Sequence, residues 1–199
     1  MLHRAIGLAL AGVAVLGAAL GCRSAPDNPM VEPMEDFNRR VQEYATLRNR
    51  LSDSLGRVDD GKSQADIAAR AAVLAAAITN ARPGARPGDI FTPEVSVVIA
   101  TLIKEEYRRR ADSVKESREE HAEEHLQDGL PSFEPQVNQL FPTTYPLATF
   151  DPLLLPLLPK LPDQIEYRRM EHYLLLRDME ANLIVDFMPN AFPPAGAPR

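Results

Sequence analysis

Eight prolines between residues 130 and 162 divide the chain into two parts that cannot share one regular element. Proline lacks a backbone N–H and fixes φ, so neither a long helix nor a central strand can run through such a segment. Before it, apolar residues recur every three or four positions, which is the period of an amphipathic helix. After it, short apolar runs alternate with tight connections, which is typical of a β-meander. The sequence therefore predicts an α+β fold: three N-terminal helices, a proline-rich segment and a C-terminal three-stranded antiparallel β-meander.

The helical part has recognisable start and stop signals. The predicted helices cover about 34–55, 63–81 and 92–128. Gly56 follows the last apolar residue of the first helix, where a left-handed C-terminal cap is favoured. Ser63 begins a capping-box-like start of the second helix, and Thr92-Pro93 is a start signal for the third. The predicted buried stripe of the second helix is Ile67, Ala71, Leu74, Ile78 and Ala81.

The C-terminal part reads as strands. They are predicted at about 164–169, 173–178 and 182–187. Continuous apolar runs in the second and third predict strands that are covered on both faces. Within the proline-rich segment, Asp151-Pro152 is a start signal for a short helical turn through Leu153, Leu154 and Leu155. These leucines are too apolar to leave in water, so we expect them to dock on the domain.

The first 22 residues have the layout of a bacterial export signal. Arg4 supplies a positive charge, and the uncharged apolar run at 5–20 is shorter than the ~20 residues of a spanning helix. Ala19-Leu20-Gly21-Cys22 resembles the lipobox of bacterial lipoproteins, which implies cleavage before Cys22 and a covalent lipid on it. An uncleaved anchor and an ordinary signal peptide cut nearby remain the alternatives.

Cys22 is the only cysteine, so a disulfide within the chain is impossible. Acylation accounts for a lone thiol in an oxidising compartment. Arg23 stands where an Asp would signal inner-membrane retention, so the resemblance implies a periplasm-facing lipid anchor, on the outer membrane in preference to the inner one. The predicted organisation is a signal peptide at 1–21, a lipidated tether at 22–33, a single domain at 34–188 and a flexible tail at 189–199.

The charge balance argues against nucleic acid as a partner. Asp and Glu number 28 against 22 Lys and Arg, which gives a net charge of −6. Phosphate contacts would need clustered cations. The run Arg108-Arg109-Arg110 is short and set among carboxylates, so we interpret it as a solvated helix face.

Residues 56–63, GRVDDGKS, match the phosphate-binding loop pattern G-x-x-x-x-G-K-[ST]. Its fixed positions are Gly56, Gly61, Lys62 and Ser63. A working loop of this kind follows a buried strand, whereas an amphipathic helix precedes this one. Asp59 and Asp60 would also place negative charge against a polyphosphate. We therefore interpret the match as a helix–helix corner, and nucleotide binding stays a remote alternative.

Residues 121–125, HAEEH, match the pattern H-x-x-E-H, in which two histidines bind zinc and the glutamate activates water. The candidate residues are His121, Glu124 and His125. The two histidines share a helix face, yet their surroundings, KESREEHAEEHLQD, are typical of a charged exposed helix. A solvated acidic face is the favoured interpretation. An envelope metal-binding protein or metal-dependent hydrolase is the alternative.

Several phrases of the chain, in this order, resemble a group of small exported proteins from soil bacteria such as acidobacteria. The phrases are the helix at 37–47, GDIFTPEV at 88–95, PLAT at 146–149, LPDQIEYR at 161–168 and the closing strands at 175–187. The resemblance implies one domain over most of residues 37–188, with helices before strands. It implies no catalytic residue, since none is assigned in the group.

Other catalytic arrangements do not occur in the sequence. There is no G-x-S-x-G, and no pair of carboxylates is marked by an apolar neighbourhood. The sequence therefore favours a non-enzymatic binding or scaffolding module of the cell envelope. Its expected partners are the membrane, through the lipid on Cys22, and another envelope protein. No nucleic acid, nucleotide or cofactor other than that lipid is expected.

Overall fold

The computed structural model describes residues 28–56, 63–113, 133–142 and 150–192. Three helices precede a three-stranded antiparallel sheet, which confirms the predicted α+β class and the order of its parts. The helices are α1 (Val31–Ser54), α2 (Gln64–Ala81) and α3 (Pro93–Ser113), and a 3-10 turn spans Leu155–Leu157. The strands are β1 (Ile165–Met170), β2 (Tyr173–Asp178) and β3 (Leu183–Met188). Among the described helices, none combines the length and the apolar character needed to cross a membrane.

One helix boundary differs from the prediction, and another lies outside the described residues. α1 begins at Val31, three residues early, because Pro33 falls in the first turn, where the missing N–H has no intrahelical partner anyway. α3 is described as far as Ser113. The rest of its predicted span, to 128, lies outside the described residues.

Local capping builds the corner between α1 and α2. Gly56 has a φ of 74°, the left-handed conformation predicted for it, and its N–H donates to the Asp53 carbonyl at 3.1 Å. The Ser63 hydroxyl accepts the Asp66 N–H at 3.2 Å, and the Asp66 carboxylate accepts the Ser63 N–H at 3.0 Å. This reciprocal pair is a capping box. Both predicted caps are confirmed.

The cap on α2 has a measurable contribution. Ser63→Ala should lower the free energy of unfolding by about 1 kcal/mol, because the first turn loses its side-chain acceptor. Lys62→Ala, one residue earlier, is the control and should leave the stability nearly unchanged. Urea denaturation of the two variants checks this. A nucleotide affinity that Lys62→Ala abolished would instead support the phosphate-loop alternative.

The buried side of α2 is narrower than the predicted stripe. Its buried residues are Leu74, Ala75 and Ile78. Ile67 is 54% exposed and Ala81 is exposed as well, so the prediction was wrong at both ends. Arg70 already reaches the end of α1, where it donates to the Gly56 carbonyl at 2.6 Å. The turns before Arg70 therefore extend past α1, and helical spacing alone could not reveal where the neighbouring helix stops.

A β-bulge interrupts the pairing of β2 with β3. The strands pair in the order β1-β2-β3, with Leu176 opposite Asp186 but Arg177 opposite Ile184. Val185 is thus the extra residue of the bulge. Such a residue breaks the alternation of side chains along a strand. As a result, Val185 lies in the main core, and Asp186 contacts the loop at 88–91 that leads into α3.

Both faces of the sheet are covered, as predicted for β2 and β3. The main core lies between the helices and one face, and it includes Phe37 of α1 and Leu174 of β2. The segment 133–142 covers the other face, where Phe141 packs with Leu175. This segment is held along the edge of β3 by backbone hydrogen bonds, among them Phe141 N–H to the Asn182 carbonyl at 2.8 Å.

Candidate functional site

Most residues that the sequence pointed to for chemistry lie outside the described residues. They are Cys22, Gly61, Lys62, His121, Glu124 and His125. Gly56 and Ser63 are described, and both serve in helix caps. The element before Gly56 is the helix α1, whereas phosphate-binding loops follow a buried strand.

Two fully buried carboxylates and an exposed group of leucines distinguish the described part of the chain. Within it, no group of three or more His, Cys, Asp or Glu residues is placed to hold a metal ion. Asp178 and Asp186 are fully buried at the end of β2 and within β3. Buried carboxylates need partners, so the contacts of each decide whether it is free for chemistry.

Asp178 joins α1 to the sheet. One of its oxygens accepts hydrogen bonds from Arg48 Nε and from the Tyr44 hydroxyl, both at 2.9 Å. The other accepts the Ala181 N–H at 2.9 Å. The Arg48 side chain is only 4% exposed, so this ion pair is almost completely removed from water.

Glu180 extends these contacts to α2. It accepts hydrogen bonds from Arg48, from the Ser52 hydroxyl at 3.1 Å and from Arg70 Nε at 3.2 Å. Burial acts to raise the pKa of Glu180, but the hydrogen bonds from Arg48 and Ser52 outweigh it and lower the pKa below its usual range. Arg70 also donates to the Ser52 carbonyl at 3.2 Å, near the end of α1, where cations are favoured. The Arg48 cluster, as we call it, consists of Tyr44, Arg48, Ser52, Arg70, Asp178 and Glu180.

The Arg48 cluster holds three elements of the fold together. Burial, with the charge of Asp178 as the next contribution, raises the pKa of Tyr44 far above its usual value. Tyr44 therefore remains a protonated donor. Because Asp178 and Glu180 are each held by several donors, the cluster fixes α1, α2 and the β2–β3 turn in one arrangement.

Asp186 holds the loop that leads into α3. Its carboxylate accepts the backbone N–H groups of Gly88 at 2.9 Å, Ile90 at 2.7 Å and Phe91 at 2.8 Å. It also accepts the N–H of its neighbour Phe187 at 2.8 Å. Burial raises the pKa of Asp186, while the four amide donors act in the opposite direction. These four amides form a cradle of the kind that binds an anion. The Asp186 carboxylate of the chain itself occupies this cradle.

A turn at 153–158, which we call the leucine turn, lies beside α3. Leu154 and Leu158 are buried, whereas Leu153, Leu155 and Leu157 are 59%, 47% and 37% exposed. The expectation that Leu153, Leu154 and Leu155 all dock on the domain was therefore wrong for the first and the third. In so tight a turn, successive side chains point in different directions. When Leu154 points into the core, its neighbours Leu153 and Leu155 therefore point away from it. The turn can bury only one of its sides.

The leucine turn and α3 border an open groove of about 430 Å³. Leu157 and Leu102 supply its apolar lining, and its charged rim consists of Glu105, Glu106, Arg108 and Arg109. The two leucines of the lining therefore lie next to four charged side chains. We name the exposed Leu153, Leu155 and Leu157 of the turn, together with Leu102 of α3, the leucine surface. Of these four residues, Leu157 and Leu102 line the groove.

Glu106 ties the rim of the groove together. It is 7% exposed and accepts hydrogen bonds from Arg109 at 2.7 Å and from Arg110 at 3.0 Å. Hydrogen bonds from Arg109 and then Arg110 lower the pKa of Glu106 to about 2. Arg110 also contacts Asp151 at 2.5 Å. This ion pair attaches the leucine turn to α3. Arg110, at 13% exposure, is therefore not part of a solvated face, whereas Arg109 is 73% exposed.

The pairing of Glu106 should make the stability depend on pH in the acid range. Its pKa is about 2 in the fold against an ordinary value of 4.5, so the contribution is complete above pH 4.5 and is lost as the pH falls towards 2. Glu106→Gln should lower the stability at pH 7 and make its decline over that window shallower. Urea unfolding across pH measures this, with Glu105→Gln as the exposed control. A variant that keeps the wild-type slope would contradict the assignment.

Sequence reasoning missed Arg48, Asp178 and Asp186. A signal for Arg48 was present, since it stands four residues after Tyr44, on the buried side of α1. An Asp flanked by Val185 and Phe187 likewise requires a partner if its strand is buried. What the sequence did not contain was the identity of those partners.

Comparison with protein-family models, with curated proteins and with solved structures finds no match to this chain. A functional conclusion must therefore come from its own residues. The Arg48 cluster and Asp186 are engaged inside the fold. The leucine surface, in contrast, presents apolar side chains to the outside and is the candidate binding site.

Proposed function

We propose that this chain is a lipid-anchored protein of the bacterial cell envelope that acts as a non-catalytic binding or scaffolding module through its leucine surface. A lipid on Cys22 anchors it, and the domain faces the periplasm, on the outer membrane in preference to the inner one. The export-signal layout of the first 22 residues and the lipobox-like Ala19-Leu20-Gly21-Cys22 support the anchor. Several acyl chains would hold the protein firmly.

The leucine surface is the observation that carries the binding role. Its exposed leucines project from a turn that is fixed from below by the buried Leu154 and Leu158. A turn whose backbone is already fixed loses little conformational entropy when a partner covers it. The removal of its exposed leucines from water is favourable in itself. A partner with an apolar face therefore gains free energy at this surface.

The contacts of the buried charges support a non-catalytic role. Arg48 and Asp178 are paired with each other, and Asp186 accepts four backbone amides. Groups held in this way stabilise the fold and would have to break those contacts to act on a substrate.

The anchor is tested by one substitution in the full chain. Cys22→Ser should abolish the incorporation of palmitate and release the protein from the membrane fraction, because the serine offers no thiol for acylation. Labelling and fractionation measure the two effects, with Ser24→Ala as the control that keeps both. Unchanged processing and membrane association in Cys22→Ser would overturn the anchor.

The binding surface is tested by thiol protection. With Cys22 acylated, Leu155→Cys introduces the only free thiol, and Val73→Cys places a matched one on α2, where Val73 is 53% exposed. A partner should protect position 155 from a small water-soluble maleimide in intact envelopes, relative to dilute protein in detergent. Position 73 should react equally in both. Equal reactivity at 155 would contradict a binding role for the leucine surface.

A further inference from the structure

The rim of the leucine surface carries charges of both signs within one turn of α3. Glu105 and Arg108 are 59% and 69% exposed, and they contact each other at 2.7 Å. Arg109 extends from the same side of the helix, and all three border the groove with Leu102. A surface that carries both signs can meet opposite charges on a second copy of itself when a two-fold rotation brings them together.

A two-fold axis would bring such charges together. Two copies of α3 that cross antiparallel about such an axis run in opposite directions, so residue 105 of one copy comes close to residue 108 of the other. Glu105 and Arg108 can then form two equivalent ion pairs between the copies. Interfaces of this isologous kind are the commonest in homo-oligomers. The leucines would lie at the centre of the contact, with the charges at its rim.

The same charges argue against a lipid bilayer as the occupant. A surface that docks on anionic headgroups gains from cations and loses from carboxylates. Here the exposed Glu105 lies among the arginines of the rim. Mixed charge suits a protein surface of matching pattern.

We infer that the partner at the leucine surface is a second copy of this chain, related by a two-fold axis that brings the two leucine surfaces together. The inference rests on the proposed function in one respect, since it names the partner of the same binding surface. Anchorage of both copies in one membrane raises their effective concentration, so a contact of modest area is sufficient. The protein is then a membrane-anchored dimer.

Disulfide formation in intact envelopes tests the inference on the full chain. Single cysteines at positions 153, 155 and 157 should give a disulfide-linked dimer at one or more of these positions under mild oxidation, because residues near a two-fold axis meet their own counterparts. Val73→Cys is the control for chance collisions and should give none. The wild-type chain should also give none when Cys22 is acylated.

The outcomes separate this inference from the proposed function. A disulfide-linked dimer restricted to the leucine positions supports the second copy. Protection of position 155 without a dimer, or a disulfide to a different protein, overturns the second copy and leaves the binding role standing. Loss of both protection and dimer overturns the two together.

Reversal of charge gives an independent readout. Glu105→Arg and Arg108→Glu should each abolish the disulfide-linked dimer, because each places like charges across the axis. The double variant restores opposite signs and should restore the dimer. Docking on an anionic bilayer would instead be strengthened by Glu105→Arg and weakened by Arg108→Glu. Single variants that dimerise like the wild type would show that the inference is wrong.

Discussion

Replacement of Arg48 by methionine should lower the free energy of unfolding by about 3–5 kcal/mol, since it leaves a buried carboxylate without its counter-charge. Asp178 is fully buried and accepts the Arg48 Nε at 2.9 Å. Methionine keeps most of the apolar stem of the side chain, so the effect reports the charge more than the packing. Urea denaturation followed by circular dichroism measures it.

The matched control lies on the same helix. Arg39 also makes ion pairs, with Asp36 and Glu43, but its side chain is 54% exposed. Arg39→Met should therefore leave the stability nearly unchanged, as exposed pairs contribute little. Adding Asp178→Leu to Arg48→Met should recover part of the loss, because no buried charge then remains unpaired at that position. A loss below about 1 kcal/mol for Arg48→Met would contradict the importance of the pair.

Asp186→Ala should have an effect of similar size. It removes the common acceptor of Ile90 N–H and Phe91 N–H, which are buried, and of two partly buried amides. Each buried donor left without a partner costs about 1–3 kcal/mol, so we expect a loss of about 2–6 kcal/mol. The loop before α3 should also exchange its amide hydrogens faster, because the protecting hydrogen bonds are gone.

Two further variants define the origin of this loss. Asp89 lies in the same loop, but its carboxylate accepts a single exposed amide, from Arg86 at 2.8 Å. Asp89→Ala should therefore cost no more than about 1 kcal/mol. Asp186→Asn keeps one acceptor oxygen and places an NH2 group against the other amides, so its loss should remain large. If Asp186→Ala and Asp89→Ala were equally mild, the amide cradle would not be a principal support of the fold.

The predictions that succeeded concern residues close together in the chain. Ser63 and Asp66 cap α2 from three residues apart, and Gly56 takes its left-handed conformation directly after α1. Such contacts form within a single segment, so the sequence contains both partners side by side. The strand order of the meander could be predicted for the same reason, because tight connections pair neighbouring strands.

The predictions that failed concern burial. Ile67 has the spacing of a buried residue but lies in the part of α2 that extends past α1, and it is 54% exposed. Leu153 and Leu155 are as apolar as Leu154, yet only Leu154 faces the core. Spacing and hydrophobicity state which side chains could be buried. Whether another element lies opposite is a property of the assembled fold.

The sequence by itself determined the α+β order and the helix caps of the corner between α1 and α2, because these depend on backbone geometry within short segments. The tertiary structure decided which charges enter the core and which leucines stay outside. Arg48 meets Asp178 across 130 residues, and Asp186 meets Ile90 across 96. Partners so far apart are brought together only by the packing of the helices on the sheet. The same packing leaves the leucine surface open beside α3.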